Sequence, residues 1–203
     1  WMVFNGTVNY GSYLGRTGSG GANVASVHML NGNLCVGRGN TGYGEALLRA
    51  NFISEHSVNY ATSGWRQIQP IAGRHIDATS NVELNYAGIN AIVNIAVNDV
   101  AMTVLPHAPI DADTGLPVPT IAVATDGGVS IIKDDGTVVD IYVTNSNYTA
   151  AHKVQFNKDG SFWMVIGNST GTNQDVIYRF NKLPSADTGL TVDSKSGTGA
   201  NAD

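Results

Sequence analysis

Charge is scarce in this chain: Lys, Arg, Asp and Glu make up 13% of its 203 residues, about half the usual share. Asn, Thr, Ser and Gly must therefore supply the polar surface. The 11 Lys and Arg are scattered and the net charge is −5, so a dedicated nucleic-acid binder, with its clustered basic face, is excluded. No apolar run is long enough for a helix to span a membrane, which takes about 18 residues or more. A single cysteine, Cys35, rules out an internal disulfide and every Cys-based zinc pattern. In Leu34-Cys35-Val36 it reads as a small buried apolar residue. No secretory signal is visible. The chain opens on Trp1-Met2-Val3-Phe4, already strand-like, and reads as part of a larger protein.

Signatures of chemistry are equally sparse. His28, His56, His75, His107 and His152 show no His-x-His or His-x-x-x-His spacing, so no metal site is expected. There is no Gly-x-Ser-x-Gly elbow. The glycine-rich stretch Gly15 to Gly21 lacks the Lys-Ser/Thr of a phosphate loop and reads as a flexible loop. Asp111-Ala112-Asp113-Thr114-Gly115 resembles the start of a calcium loop, but the distal bidentate Glu is missing, and a solvated turn is the expectation. No cofactor and no catalytic residue are assigned.

Glycine is plentiful, 24 residues, as suits a chain with many tight turns. Between the turns lie short runs rich in Val, Ile, Thr and aromatics, the signature of strands. Val27 to Leu30 meets Asn31-Gly32 and continues as Leu34-Cys35-Val36, a strong hairpin signal because both turn residues tolerate positive φ. Thr120 to Ala124, Val129 to Ile132 and Val138 to Val143 are separated by Asp126-Gly127-Gly128 and by Lys133-Asp134-Asp135-Gly136. Val154-Gln155-Phe156 and Phe162 to Gly167 flank Asn157-Lys158-Asp159-Gly160, and Val176 to Phe180 follows a polar loop. The one helix-like stretch, Glu45 to Ala50, is short and flanked by glycine, and a strand is preferred there.

Repetition organises these strands. An apolar strand, a Gly turn, a second strand ending in Gly, a polar loop and a third strand carrying Arg and Phe recur from Val24 to Glu55 and from Ala151 to Pro184. A less regular middle unit begins near Val97, is interrupted from Pro106 to Pro119 and resumes at Thr120. Units of three or four strands over roughly 35 to 50 residues are the plan of β-propeller blades, which must stack to cover their apolar faces. The expectation is an all-β fold of propeller-like repeats with three- to four-stranded antiparallel blades over residues 1–192, followed by a polar C-terminal linker, 193–203. A β-sandwich is the alternative.

Val24 to Met29, Asn33 to Gly37 and Leu48 to Phe52 resemble blades in bacteriophage tail-fibre and structural proteins. Thr114 to Ser130, Ile177 to Phe180 and Leu183 to Thr188 are similar to the same group. The resemblance covers Val24 to Thr188, with Ser57 to Asn90 poorly matched. It implies a virion-associated, extracellular protein that contacts other virion chains and host-surface glycans, and it brings no catalytic motif.

Sugar recognition needs aromatic faces for the pyranose and polar groups for its hydroxyls. Trp65 with Arg66, in a polar setting, and Tyr10, Tyr13 and Tyr43, in Gly-rich loops, are the candidate ligand-binding residues. Trp1 and Trp163, flanked by apolar residues, are expected in the core. Shallow sugar sites gain strength from several copies, through repeats or a homo-oligomer. The expected function is non-catalytic recognition of polysaccharide or cell-surface glycan. The alternatives are a depolymerase, whose acidic pair would come from Asp99, Asp126, Asp134, Asp135, Asp140, Glu45, Glu55 or Glu83, and a purely structural module.

Overall fold

The computed structural model describes residues 23–39, 46–54, 56–62, 64–68, 84–87, 90–144, 149–167, 175–191 and 201–202. Every regular element among them is a strand, and no helix occurs there. Three sheets form.

Sheet 1 is an antiparallel meander of six strands in chain order: β1 (Val24–Leu30), β2 (Asn33–Arg38), β3 (Leu47–Asn51), β4 (His56–Ala61), β5 (Gly64–Ile68) and β6 (Leu84–Ala87). Sheet 2 has five strands, ordered β14-β10-β9-β8-β7, from β7 (Val97–Thr103), β8 (Thr120–Thr125), β9 (Gly128–Ile132), β10 (Val138–Val143) and β14 (Thr188–Leu190). Sheet 3 has four, ordered β11-β12-β13-β15: β11 (Ala150–Phe156), β12 (Phe162–Gly167), β13 (Val176–Phe180) and β15 (Asn201–Ala202). Only sheet 3 keeps to the expected three or four strands. Two pairs, β10 with β14 and β13 with β15, run parallel, against the expectation of wholly antiparallel units. The second of these pairs uses two residues of the polar segment 193–203.

The turns follow from local chemistry. Asn31 and Gly32 both have positive φ, 49° and 74°, the geometry a two-residue hairpin needs to match strand twist. The stretch Glu45 to Ala50 contains the start of β3, paired with both β2 and β4. Ladder pairing wins there because each residue is supported from two sides. Five strands are not anticipated from the sequence: β4, β5 and β6, and near the C-terminus β14 and β15.

The sheets stack, with sheet 2 in the middle. Val97, Val100, Met102, Ile121, Val123 and Ile132 of sheet 2 pack with Cys35, Leu47 and Tyr60 of sheet 1. Its opposite face packs Ala101, Ala122, Ala124, Val129, Ile131 and Ile141 against Val154, Phe162, Met164, Ile166, Tyr178 and Phe180 of sheet 3. The alternation is strict, odd and even residues of β8 entering different layers, as the period of a strand requires. With both faces covered, β8 and β9 are buried throughout, which explains their unbroken apolar sequence. Small residues of sheet 2 leave room for large ones opposite, including Phe162 stacked on Phe180 at 4.8 Å between centroids.

The first strands β1, β7 and β11 lie side by side, β7 touching both of the others. Each carries one bulge: the ladder skips Ala25 between Val24 and Ser26, Asn98 between Val97 and Asp99, and His152 between Ala151 and Lys153. The residues just after the bulges meet one another. Ser26 Oγ donates to Asp99 Oδ1 at 2.9 Å, and Lys153 Nζ stands 3.6 Å from Asp99 Oδ2. Equivalent backbone groups join the sheets as well: Val100 N–H donates to Ser26 Oγ at 3.2 Å, and Val154 N–H to Asp99 Oδ2 at 3.3 Å. One hydrogen-bond device therefore links sheet 1 to sheet 2 and sheet 2 to sheet 3.

Candidate functional site

Strand alternation puts the candidate site on the face of sheet 3 that points away from sheet 2. Phe162, Met164 and Ile166 point inward, so Trp163 and Val165 point out. Trp163 is 40% exposed and Ile177 53%. This overturns the expectation that Trp163 belongs to the core: its apolar neighbours in sequence are apolar because they face the other way.

A single ladder row crosses the face. Gln155 of β11 pairs with Trp163, which pairs with Arg179 of β13. Neighbouring strands lie about 4.8 Å apart, so an amide and a guanidinium flank the indole. The next row holds Lys153, Val165 and Ile177. Arg179 Cζ lies 5.7 Å from the Trp163 ring, within cation–π reach. Its Nη2 is 3.6 Å from Asp159 Oδ2 and donates to Ser161 Oγ at 3.4 Å. Hydrogen bonds from the Ser161 hydroxyl and amide, and then the charge of Arg179, hold the Asp159 carboxyl below its ordinary range, so it is ionised at neutral pH. The arrangement is a shallow platform: one broad aromatic face, an apolar shoulder at Ile177, and a rim of amide, guanidinium, ammonium and carboxylate.

The residues expected to bind are placed otherwise. Trp65 and Arg66 lie within β5, not in a loop. Trp65 pairs with Tyr60 and Tyr86, and Arg66 with Asn59 and Asn85. The mixed polar and apolar run Trp65-Arg66-Gln67-Ile68 suits a strand as well as a loop. Tyr10, Tyr13 and Tyr43 lie outside the described residues.

The acids are mostly committed to structure. Asp99 joins the three sheets. Asp126 Oδ1 accepts from Asn98 at 2.9 Å, and Asp135 Oδ1 from the Thr137 hydroxyl at 2.6 Å. Glu45, Glu55 and Glu83 lie outside the described residues. Two acids approach each other at the edge of sheet 2: Asp187 Oδ1 accepts the Asp140 N–H at 2.9 Å, and Asp140 Oδ1 accepts from Ser130 Oγ at 2.6 Å. Burial, together with the nearby Asp187, raises the Asp140 carboxyl above its ordinary range, against the opposing Ser130 bond. Asp187 is absent from the acids expected from the sequence, because nothing local to Leu183 to Thr188 shows that it reaches the Asp140 backbone 47 residues away.

Asp111 is a turn former. Its Oδ1 accepts the N–H groups of Asp113 and Thr114 at 2.8 and 3.2 Å, the local self-bonding that Asp favours in turns. Among the described residues, no three or more His, Cys, Asp or Glu are grouped to hold a metal ion. A cavity of about 200 Å³ lies beside this turn, lined by Asn33, Arg49, Asn51 and Ser54 among others. Its amides are already engaged: Asn33 Oδ1 accepts from Arg49 Nε, and Asn51 Oδ1 from the backbone of Ile53 and Ser54.

Cys35 is fully buried, and burial pushes its thiol up to about 12, against the charge of Arg49. A thiol held protonated in a core is inert. The native protein is expected to leave a thiol-reactive dye unchanged over an hour at pH 8 and to react with one equivalent once unfolded in guanidinium. Fast native labelling would show that the layer between sheets 1 and 2 opens readily.

No protein-family model, curated protein or solved structure matches the chain.

Proposed function

We propose that this chain is a propeller-like recognition module that binds polysaccharide or cell-surface glycan on the outer face of sheet 3, without cutting it. The observation that carries the reading is Trp163, a large ring held on an open strand face between Gln155 and Arg179. A pyranose stacks its C–H face on such a ring, while amide, guanidinium and carboxylate groups take its hydroxyls. The platform is shallow, so one site binds weakly and attachment draws on several copies.

Blade-like stacking supports the propeller description. Each sheet begins with a bulged strand, those strands lie together, and the sheets cover one another face to face as blades do. Coverage of both faces of sheet 2 favours this over a sandwich of two sheets. The virion setting, and contact with other virion chains, rest on the resemblance of the segments from Val24 to Thr188 to phage tail proteins. A depolymerase is the second reading, and the pairing of Asp140 with Asp187 is what favours it.

The test is a panel of bacterial and algal polysaccharides, with bound protein and new reducing ends measured in the same wells. Saturable binding without new reducing ends is expected. New reducing ends that disappear in Asp140→Asn would overturn the recognition reading in favour of the enzyme.

A further inference from the structure

The three repeats can be superposed on their bulges, and one set of positions then behaves differently in sheet 1. Counting from the bulge, Val24, Val27 and Met29 of β1 correspond to Val97, Val100 and Met102 of β7, and to Ala151, Val154 and Phe156 of β11. In sheets 2 and 3 this row is covered by the preceding sheet: Val97 is 0% exposed, Val100 4%, Ala151 0% and Val154 6%. In sheet 1 the same row is open, with Val24 at 61%, Val27 at 57% and Met29 at 59%. Three apolar side chains in one strip on an innermost strand are what an uncovered repeat leaves exposed.

The two interfaces already formed specify what covers such a row. Sheet 1 presents Ser26 after its bulge and Cys35 and Gly37 beside it; sheet 2 presents Asp99, Ala122 and Ala124. Both offer a hydrogen-bond acceptor to the backbone N–H of the next sheet, at Val100 and at Val154. Both also offer small residues. At Gly37 a Cβ would come 2.5 Å from Val97 Cγ1, so the close approach is part of the fit. The equivalent outer face of sheet 3 departs at these positions, with Lys153 for the acceptor and Trp163 and Val165 for the small residues. Arg179 is no obstacle, since it matches Arg49 on the covered face of sheet 1.

We propose that the β1 strip of sheet 1 is a docking surface for one more sheet of this same repeat, one with small residues and a hydrogen-bond acceptor directly after its first-strand bulge. Its Ser or Asp side chain accepts the Val27 N–H, as Ser26 accepts that of Val100. Sheet 3 closes the stack with its polar, Trp-bearing face, as terminal repeats do.

The full chain supplies the probe. Lys153→Ser, Trp163→Ala and Val165→Ala together convert its sheet 3 face to the specified pattern. Adding Val27→Asp to that same chain blocks its own strip, leaving one live face per molecule. Lys153, Trp163 and Val27 are surface positions, and circular dichroism with a single thermal transition at an unchanged temperature verifies folding. Mixed with the wild-type chain in an analytical ultracentrifuge, this variant is expected to form a one-to-one complex at least tenfold tighter than wild-type self-association. Val27→Asp in the partner is expected to abolish it. No complex, or one that survives Val27→Asp in both chains, would overturn the proposal. Glycan binding by the unmodified chain is independent of either result.

Discussion

Gly128→Ala is expected to destabilise the protein by about 4 kcal/mol or more, placing it among the rare severe point substitutions. Two causes act together. Gly128 has φ of +127°, a conformation that L side chains rarely adopt. A Cβ at that position would also overlap the carbonyl oxygen of Ile141, with Tyr142 Cα 3.1 Å away. The obstruction is backbone of β10, which cannot rotate aside as a side chain can. Gly128 opens β9, buried on both faces, so the clash reaches both hydrophobic layers. Gly136 is the control. Its φ is +84° and nothing lies within 4 Å of a Cβ placed there, so Gly136→Ala carries only the left-handed backbone cost of about 1–2 kcal/mol. At about 2–4 °C per kcal/mol for a chain of this size, thermal melting should separate the two variants by several degrees. Equal melting temperatures would mean that β9 and β10 do not approach so closely.

Asp99→Ala is expected to cost about 2–4 kcal/mol. The Asp99 carboxylate accepts from Ser26 Oγ and Val154 N–H, and its side chain is only 15% exposed. Its removal leaves a part-buried hydroxyl and a backbone N–H without their acceptor, a penalty of about 1–3 kcal/mol each. The ion pair with Lys153 adds little, since that side chain is 68% exposed and solvent screens it. Lys153→Ala should therefore change stability by less than about 1 kcal/mol, while Asp99→Ala exposes the strip where three sheets meet. Chemical denaturation of both variants checks this. A cost for Lys153→Ala matching that of Asp99→Ala would place the ion pair, not the hydrogen bonds, at the centre of the junction.

The all-β class and most of the strands were legible because turn chemistry is local. Asn31-Gly32, Asp126-Gly127-Gly128 and Lys158-Asp159-Gly160 mark hairpins whatever surrounds them. The stretch β4 to β6 was illegible because its strands mix polar with apolar residues and lack the unbroken Val/Ile-rich runs of β8 and β9. The role of Asp99 was hidden for a different reason. Ser26, Asp99 and Lys153 share no residue type, and only the three bulges reveal that they occupy one position. Trp163 was hidden by its own strand, since Phe162 to Ile166 is apolar without a break. The alternation was visible only in the partner strand, where Lys153-Val154-Gln155-Phe156 marks one face as polar. Trp65 has polar neighbours in sequence, and these suit a strand as well as a loop.

The measurement that bears most directly on the proposed recognition site is a binding isotherm for the tightest polysaccharide of the panel, taken with the wild-type chain, Trp163→Phe and Trp163→Ala. Trp163→Phe keeps an aromatic face and should bind within a fewfold of wild type. Trp163→Ala should lose tenfold or more, the equivalent of about 1.4 kcal/mol or more, at unchanged melting temperature. Equal affinity in all three would place recognition elsewhere on the molecule and contradict the assignment of the outer face of sheet 3.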